Sequence, residues 1–281
     1  MRIGNLSGRL TLFTEQGAVD VEKVSGGRFG ADPQAVYDVW EDFLGWAQGA
    51  DLSSASAFDV TDLGAPTPAP AQVFGIGLNY SDHAAESKLA VPDKFPPVFT
   101  KFRTAISGPV TTVTLPPGGH TDWEVELVVV IGRRAEQVSA DDAWSYVAGV
   151  TVGQDISERI RQIEGPAPQF NVGKSFPGFA PMGPWVVTVD EFENPDDLEL
   201  GCAIDGETVQ HGRTSLLIFS VPKLIEGLSA TLPLLPGDVI FTGTPAGVGL
   251  GRNPQRWLQP GEELVTYVTG IGELRQRFVS A

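Results

Sequence analysis

Apolar and polar positions alternate in short runs from the start of the chain. Within residues 3–24, Arg9-Leu10-Thr11-Leu12-Phe13 and Gly17-Ala18-Val19-Asp20-Val21 read as strands separated by a turn. The period then lengthens. Val36, Val39, Trp40, Phe43, Leu44 and Ala47 recur at helical spacing behind Asp32, a good N-cap, and Pro33, which suits a first helical turn; Gly49 supplies the stop. Next comes Gly64-Ala65-Pro66-Thr67-Pro68-Ala69-Pro70, a Pro/Ala segment that reads as a semi-rigid linker. It divides a small N-terminal α/β domain (1–65) from a larger unit (72–281), with 66–71 as the join.

Beyond residue 72 the pattern is strand-rich. Strands are expected over 73–77, 97–101, 111–115, 123–131, 147–152, 185–189, 198–204, 238–242 and 263–268. Two helices interrupt them. Ser139 caps Ala140 to Ala148, with Asp142 in a capping-box position, and Ser220 caps a segment through Leu228 with Pro222 near its start. No regular βαβ alternation is present, so the fold class is mixed α+β with strands dominant.

Composition adds limits. The 281 residues are 42% hydrophobic and 19% charged, an ordinary globular balance, and 33 glycines with 22 prolines suit many strands and turns. The net charge of −16 would repel nucleic acid and anionic membranes. No apolar run approaches the ~18 residues of a membrane span, and the start Met1-Arg2-Ile3-Gly4-Asn5 is not signal-like. The lone Cys202 excludes an internal disulfide and a cysteine zinc cluster. A cytoplasmic protein is expected. If its substrate is acidic, positive charge must be focused at the site by a metal or by a few placed Lys and Arg.

The most informative stretch is Asp122-Trp123-Glu124-Val125-Glu126-Leu127-Val128-Val129-Val130-Ile131. In a strand Glu124 and Glu126 project side by side, opposite Trp123, Val125 and Leu127. Two carboxylates at the mouth of a buried strand repel each other and lose hydration, so they need protons, Lys or Arg partners, or a metal. An exposed edge strand with both glutamates in water is the alternative. Oxygen-only ligands would favour Mg²⁺ or Mn²⁺ over zinc. Asp155 ends the apolar Val147–Val152 run; alone it reads as a turn or cap residue.

Taken in order, five motifs carry a resemblance. They are Gly75-Ile76-Gly77-Leu78-Asn79-Tyr80-Ser81-Asp82-His83-Ala84-Ala85-Glu86, the Glu124-Val125-Glu126 strand, Gly153-Gln154-Asp155-Ile156-Ser157-Glu158-Arg159, Gly173-Lys174-Ser175-Phe176 and Thr242-Gly243-Thr244-Pro245-Ala246-Gly247-Val248-Gly249. Together they resemble the fumarylacetoacetate hydrolase family over roughly residues 72–275. The resemblance implies that family's β-roll, a Mg²⁺ or Mn²⁺ ion on Glu124, Glu126 and Asp155, a small oxo-acid substrate and a homodimer. It implies His83 and Glu86 as the pair that activates water or moves a proton. Arg159, Gln162 and Lys174 match substrate-facing positions, and Thr244 matches a loop that holds a carboxylate.

These assignments have physical counterparts. His83 and Glu86 share a face of a helical turn and can hydrogen-bond. Lys174, in a polar-aromatic loop beside a metal, can stabilise an oxyanion. The glycine-rich 243–249 loop lacks a nucleotide signature and instead suits backbone N–H groups aimed at a small carboxylate. His120 and His211 read as loop or surface residues. Leu216 and Pro177 depart from the family, which often has acidic residues there. The expected reaction is metal-dependent hydrolysis of a carbon–carbon bond in a 2,4-dioxo acid, with His83 activating water and Lys174 and Gln162 stabilising the tetrahedral oxyanion. Alternatives on the same site are decarboxylation of a 2-oxo diacid, enol/keto tautomerisation, or a non-catalytic binding role. Closure around residues 80–95 would decide whether water reaches the distal carbonyl.

Overall fold

A computed structural model describes residues 1–86 and 94–281. Its larger sheet follows the path Gly17–Asp20, Arg9–Thr14, Arg2–Leu6, Ala180–Val187, Val147–Gln154, Val125–Ile131, Val239–Phe241, Val73–Ile76 and Val98–Thr100. A second sheet orders Glu207–Arg213, Glu199–Ile204, Glu263–Val268, Gly272–Ser280 and Val110–Leu115. This is the mixed, strand-dominated architecture that the sequence pattern implies.

Beyond Glu126, the strand Val125–Ile131 is apolar on both faces because it is covered on both. Leu127 and Val129, with Val150 and Val152 of the neighbouring strand, pack toward Leu200, Leu264, Leu274 and Phe278 of the second sheet. Val128 and Val130 face the other way, into a cluster with Tyr37, Trp40 and Phe43. Trp40 and Phe43 lie on the helix Trp40–Ala47, and Tyr37 stacks on Trp40 with ring centroids 5.5 Å apart. Each fully buried side chain of this size contributes about 1.5–3 kcal/mol.

Several expected elements differ in detail. The first helix opens as a 3₁₀ segment, Ala35–Val39, after the Asp32 carboxylate turns the chain by accepting from the Gln34 amide at 2.8 Å. The segment after Ser139 is also 3₁₀ and ends at Tyr146. There the Ser139 hydroxyl donates to the Asp142 carboxylate instead of capping the backbone, and sheet pairing with Ile131 recruits Val147 into the strand. Arg2–Leu6 pairs with Ala180–Val187, so one sheet runs from the N-terminal strands into the strands that carry the site.

Candidate metal centre

Glu126 sits on the central strand and is 1% exposed. Glu124 lies just before it, in a break between the short strand Thr121–Asp122 and Val125, where a continuous strand was expected. The neighbouring strand fixes that break. The Glu124 amide donates to Gln154 Oε1 at 2.8 Å, and its carbonyl accepts from the Asp155 amide at 2.9 Å. Asp155, immediately beyond Val147–Gln154, thus arrives beside both glutamates; a carboxylate oxygen from each of the three lies within 4.8 Å of the others.

Buried cations answer part of this charge. Lys174 Nζ donates to Asp155 at 2.5 Å, to Glu124 at 2.8 Å and to Ser157 Oγ at 2.8 Å. Lys101 Nζ donates to Asp155 at 2.5 Å. Arg159 Nη2 stands 2.7 Å from both Glu124 and Asp122. Burial alone would raise the Glu124 acid, but Lys174 and Arg159 hold it well below the usual carboxylate range. For Lys174, burial is outweighed by Asp155 and Glu124 and the ammonium is pushed up; for Lys101, burial prevails and pushes it down.

Glu126 differs from its neighbours. Burial, with Asp155 and Glu124 close by, pushes its acid well above the ordinary range. It accepts the Gly243 amide at 2.6 Å and makes no salt bridge among the described residues. A fully buried carboxylate left without a cation beside two others is the charge deficit that a divalent ion fills. The oxygen-only donors Glu124, Glu126 and Asp155 take Mg²⁺ or Mn²⁺.

A cavity of about 260 Å³ opens onto the cluster. His83, Glu124, Glu126, Arg159, Gln162, Lys174 and Thr244 line it, while Asp155 and Glu86 stand behind Lys174 and His83. His83 and Glu86 share the helix Ser81–Glu86, but their nearest approach is 3.6 Å, outside hydrogen-bond range. Lys174 caps a short helix, Phe170–Gly173, rather than lying in an open loop. Gln162 accepts from Arg159 on the helix Arg159–Gln162, and Thr244 Oγ1 accepts from Gln210.

The glycine-rich loop is also used differently from expectation. Its amides are taken by carboxylates of the protein itself: Gly243 by Glu126, Gly247 by Glu86, and Gly249 with Leu250 by Asp122. Leu216 is exposed and Pro177 borders a separate groove, so neither lines the cavity. His211 is exposed on Glu207–Arg213 and pairs with Glu199; His120 stacks on Trp257. Of the segment 80–95 expected to close over the site, residues 87–93 lie outside the described residues. Sequence reasoning missed Lys101 and Asp122. Each is a lone charge on or beside a strand, and only the burial of its neighbours signals that it needs a partner.

A buried trio of carboxylate donors on such a scaffold defines a divalent-metal-dependent enzyme. Comparison with known proteins gives the family. Residues 72–279 match the fumarylacetoacetate (FAA) hydrolase C-terminal family, and the chain belongs to it. It is 41% identical over 234 residues to the human mitochondrial oxaloacetate tautomerase FAHD2A, covering 83% of this chain and 74% of that one. A Mycobacterium smegmatis structure provisionally described as an HpcE protein shares 59% identity with a TM-score of 0.96 over 100% of both chains. Maleylpyruvate hydrolase from Sphingobium sp. SYK-6, solved with manganese(II) and pyruvate, is 25% identical with a TM-score of 0.79 over 100% of both chains.

Proposed function

We propose that the chain interconverts the keto and enol forms of a small 2-oxo acid, in place of the hydrolysis expected from sequence. One observation carries the reading. His83 is 8% exposed and lines the same cavity as the carboxylate cluster; its Nδ1 faces Glu86 and has no hydrogen-bond partner among the described residues. A buried imidazole with a carboxylate facing its Nδ1 suits proton removal next to a carbonyl. The tautomerase name of the human relative supports the same direction.

In this scheme the oxo-carboxylate end of the substrate lies against Arg159, Gln162 and Thr244. His83 takes a proton from the adjacent carbon and delivers it to the oxo oxygen, so the imidazole returns to its starting state and the enol results. No water is added and no bond between carbons breaks. Lys174, whose three N–H groups are engaged by Glu124, Asp155 and Ser157, holds those carboxylates and places positive charge beside the developing oxyanion. The divalent ion, when bound, supplies Lewis acidity that favours the enol form.

Hydrolysis of an acylpyruvate-like acid is the second reading, favoured by the likeness to a maleylpyruvate hydrolase solved with pyruvate. We further propose a cytoplasmic homodimer, with residues 1–65 as a small domain joined through 66–71 to the catalytic unit. The dimer follows only from the resemblance read in the sequence, and the lone cysteine fits a reducing compartment.

The deciding assay follows enol-oxaloacetate by ultraviolet absorbance, and acetylpyruvate cleavage by product formation, with Mn²⁺-loaded protein. Fast enol decay without carbon dioxide release or cleavage is expected. Cleavage with unaccelerated enol decay would establish the hydrolytic reading; neither activity would leave a binding role.

A further inference from the structure

Asp122 is fully buried and its carboxylate gathers five donors. Oδ1 accepts the amides of Trp123 at 2.9 Å and Gly249 at 2.6 Å. Oδ2 accepts the Leu250 amide at 3.0 Å, Arg159 Nε at 2.8 Å and Arg159 Nη2 at 2.7 Å. The strand pairing of Thr121–Asp122 with Ser157–Glu158 brings Asp122 beside Arg159. That guanidinium does not belong to Asp122 alone, because the same Nη2 lies 2.7 Å from Glu124 Oε1.

Glu124 is therefore the point of competition. It already accepts from Lys174, and it must also offer an oxygen to a divalent ion. Arginine cannot shed its proton, so its charge has to be balanced by whatever carboxylates surround it. With Asp122 present, that balance is shared. Without it, Glu124 alone faces the guanidinium, and a bare positive charge stands a few ångströms from the cation in a poorly screened interior.

The geometry points to Asp122 as a positioning residue for the metal centre: by holding Arg159, it leaves Glu124 free to serve the ion. This rests on the metal assignment and is independent of which reaction follows. The Gly249 and Leu250 amides on the same carboxylate extend its reach to the cavity wall, since Leu250 lines the cavity.

The test is calorimetric titration of Mn²⁺ alone into the full chain, made metal-free, with melting curves recorded alongside. Asp122→Asn is expected to weaken Mn²⁺ binding about tenfold or more. Arg159→Met sets its own Mn²⁺ affinity as the reference for the double variant, and adding Asp122→Asn to it should cost nothing further. That absence of further loss distinguishes action through Arg159 from a merely structural role, which would lower the melting temperature and persist in the double variant. Unchanged affinity in Asp122→Asn, or a loss that survives Arg159→Met, overturns the proposal. If Asp122→Asn does not fold, Asp122→Ser, which also removes the charge, carries the same comparison; failure of both to fold makes Asp122 a structural residue and also overturns it. A wild-type chain that takes no Mn²⁺ would overturn the metal assignment itself, and the proposal with it.

Discussion

Lys101 Nζ lies 2.5 Å from Asp155 Oδ1 with both side chains sealed from solvent, a salt bridge between residues 54 positions apart in sequence. Removing Lys101 takes one of two cations from Asp155 and leaves Lys174 on its other oxygen. Lys101→Met should therefore lower the stability of the metal-free protein by about 1.5–3 kcal/mol, the worth of one hydrogen bond to a charged group. A saturating divalent ion supplies replacement positive charge at Asp155, so Mn²⁺ should recover part of that loss. Urea unfolding of wild type and variant, each with Mn²⁺ and with chelator, checks both halves.

Glu126 gives a pH dependence whose sign is fixed. Burial and two neighbouring carboxylates raise its folded-state acid above the unfolded value, so the folded chain holds the proton more tightly. The associated stability is present below the unfolded value and is lost as pH rises through the folded one. Chelator-treated wild type should thus melt progressively lower as pH climbs above about 4.5, relative to Glu126→Gln, which carries no such proton. Metal binding displaces the same proton, so Mn²⁺ affinity should rise with pH. Melting temperatures that run parallel in the two proteins would contradict this account.

His83→Ala should separate chemistry from metal binding. Loss of a positioned proton-transfer group costs about 10²–10⁴-fold in rate. His83 lines the cavity but is not one of the three carboxylate donors, so Mn²⁺ titration of the variant should match wild type. A parallel loss of metal would move His83 into the ion's own shell.

Two glycines two residues apart should behave oppositely. A Cβ on Gly251 would lie 2.1 Å from Glu86 Cγ, so Gly251→Ala displaces a side chain that can swing aside. The expected result is a rate loss of about tenfold or more, through His83, with little change in melting temperature. A Cβ on Gly249 would meet the Arg256 carbonyl oxygen at 1.9 Å, where backbone must shift. Gly249→Ala should therefore destabilise the fold by about 1–3 kcal/mol. Thermal melts and turnover measured on both variants check the contrast.

The legible part of this site was the part with local pattern. Glu124 and Glu126 stand out against an apolar run, so spacing paired them; Asp155 ends another run but alone reads as a turn or cap residue, and its place beside them came from the family resemblance. Lys101 and Asp122 carry no such pattern. Their meaning comes from strand pairings that bring Thr121–Asp122 to Ser157–Glu158 and from packing that buries Lys101 against Asp155. The glycine loop misled for a related reason: its composition announced available amides, but not that Glu86, Asp122 and Glu126 would claim them. In the fold, the strand Gly272–Ser280 went unread, although Leu274, Gln276 and Phe278 alternate as buried positions; the polar Gln276 in that series blurred the signal.

The seam between Arg2–Leu6 and Ala180–Val187 bears on how the chain is made. Arg2–Leu6 meets this neighbour only after some 180 further residues have been synthesised. Until then Arg2–Leu6 can pair only with Arg9–Thr14 and Leu63–Gly64, and Ala180–Val187, once made, must accept it along one edge. A shortened chain beginning at residue 72 would leave that apolar edge open, a template for strand pairing between molecules. The opening residues thus act as a built-in guard against self-association of the unit that carries the metal.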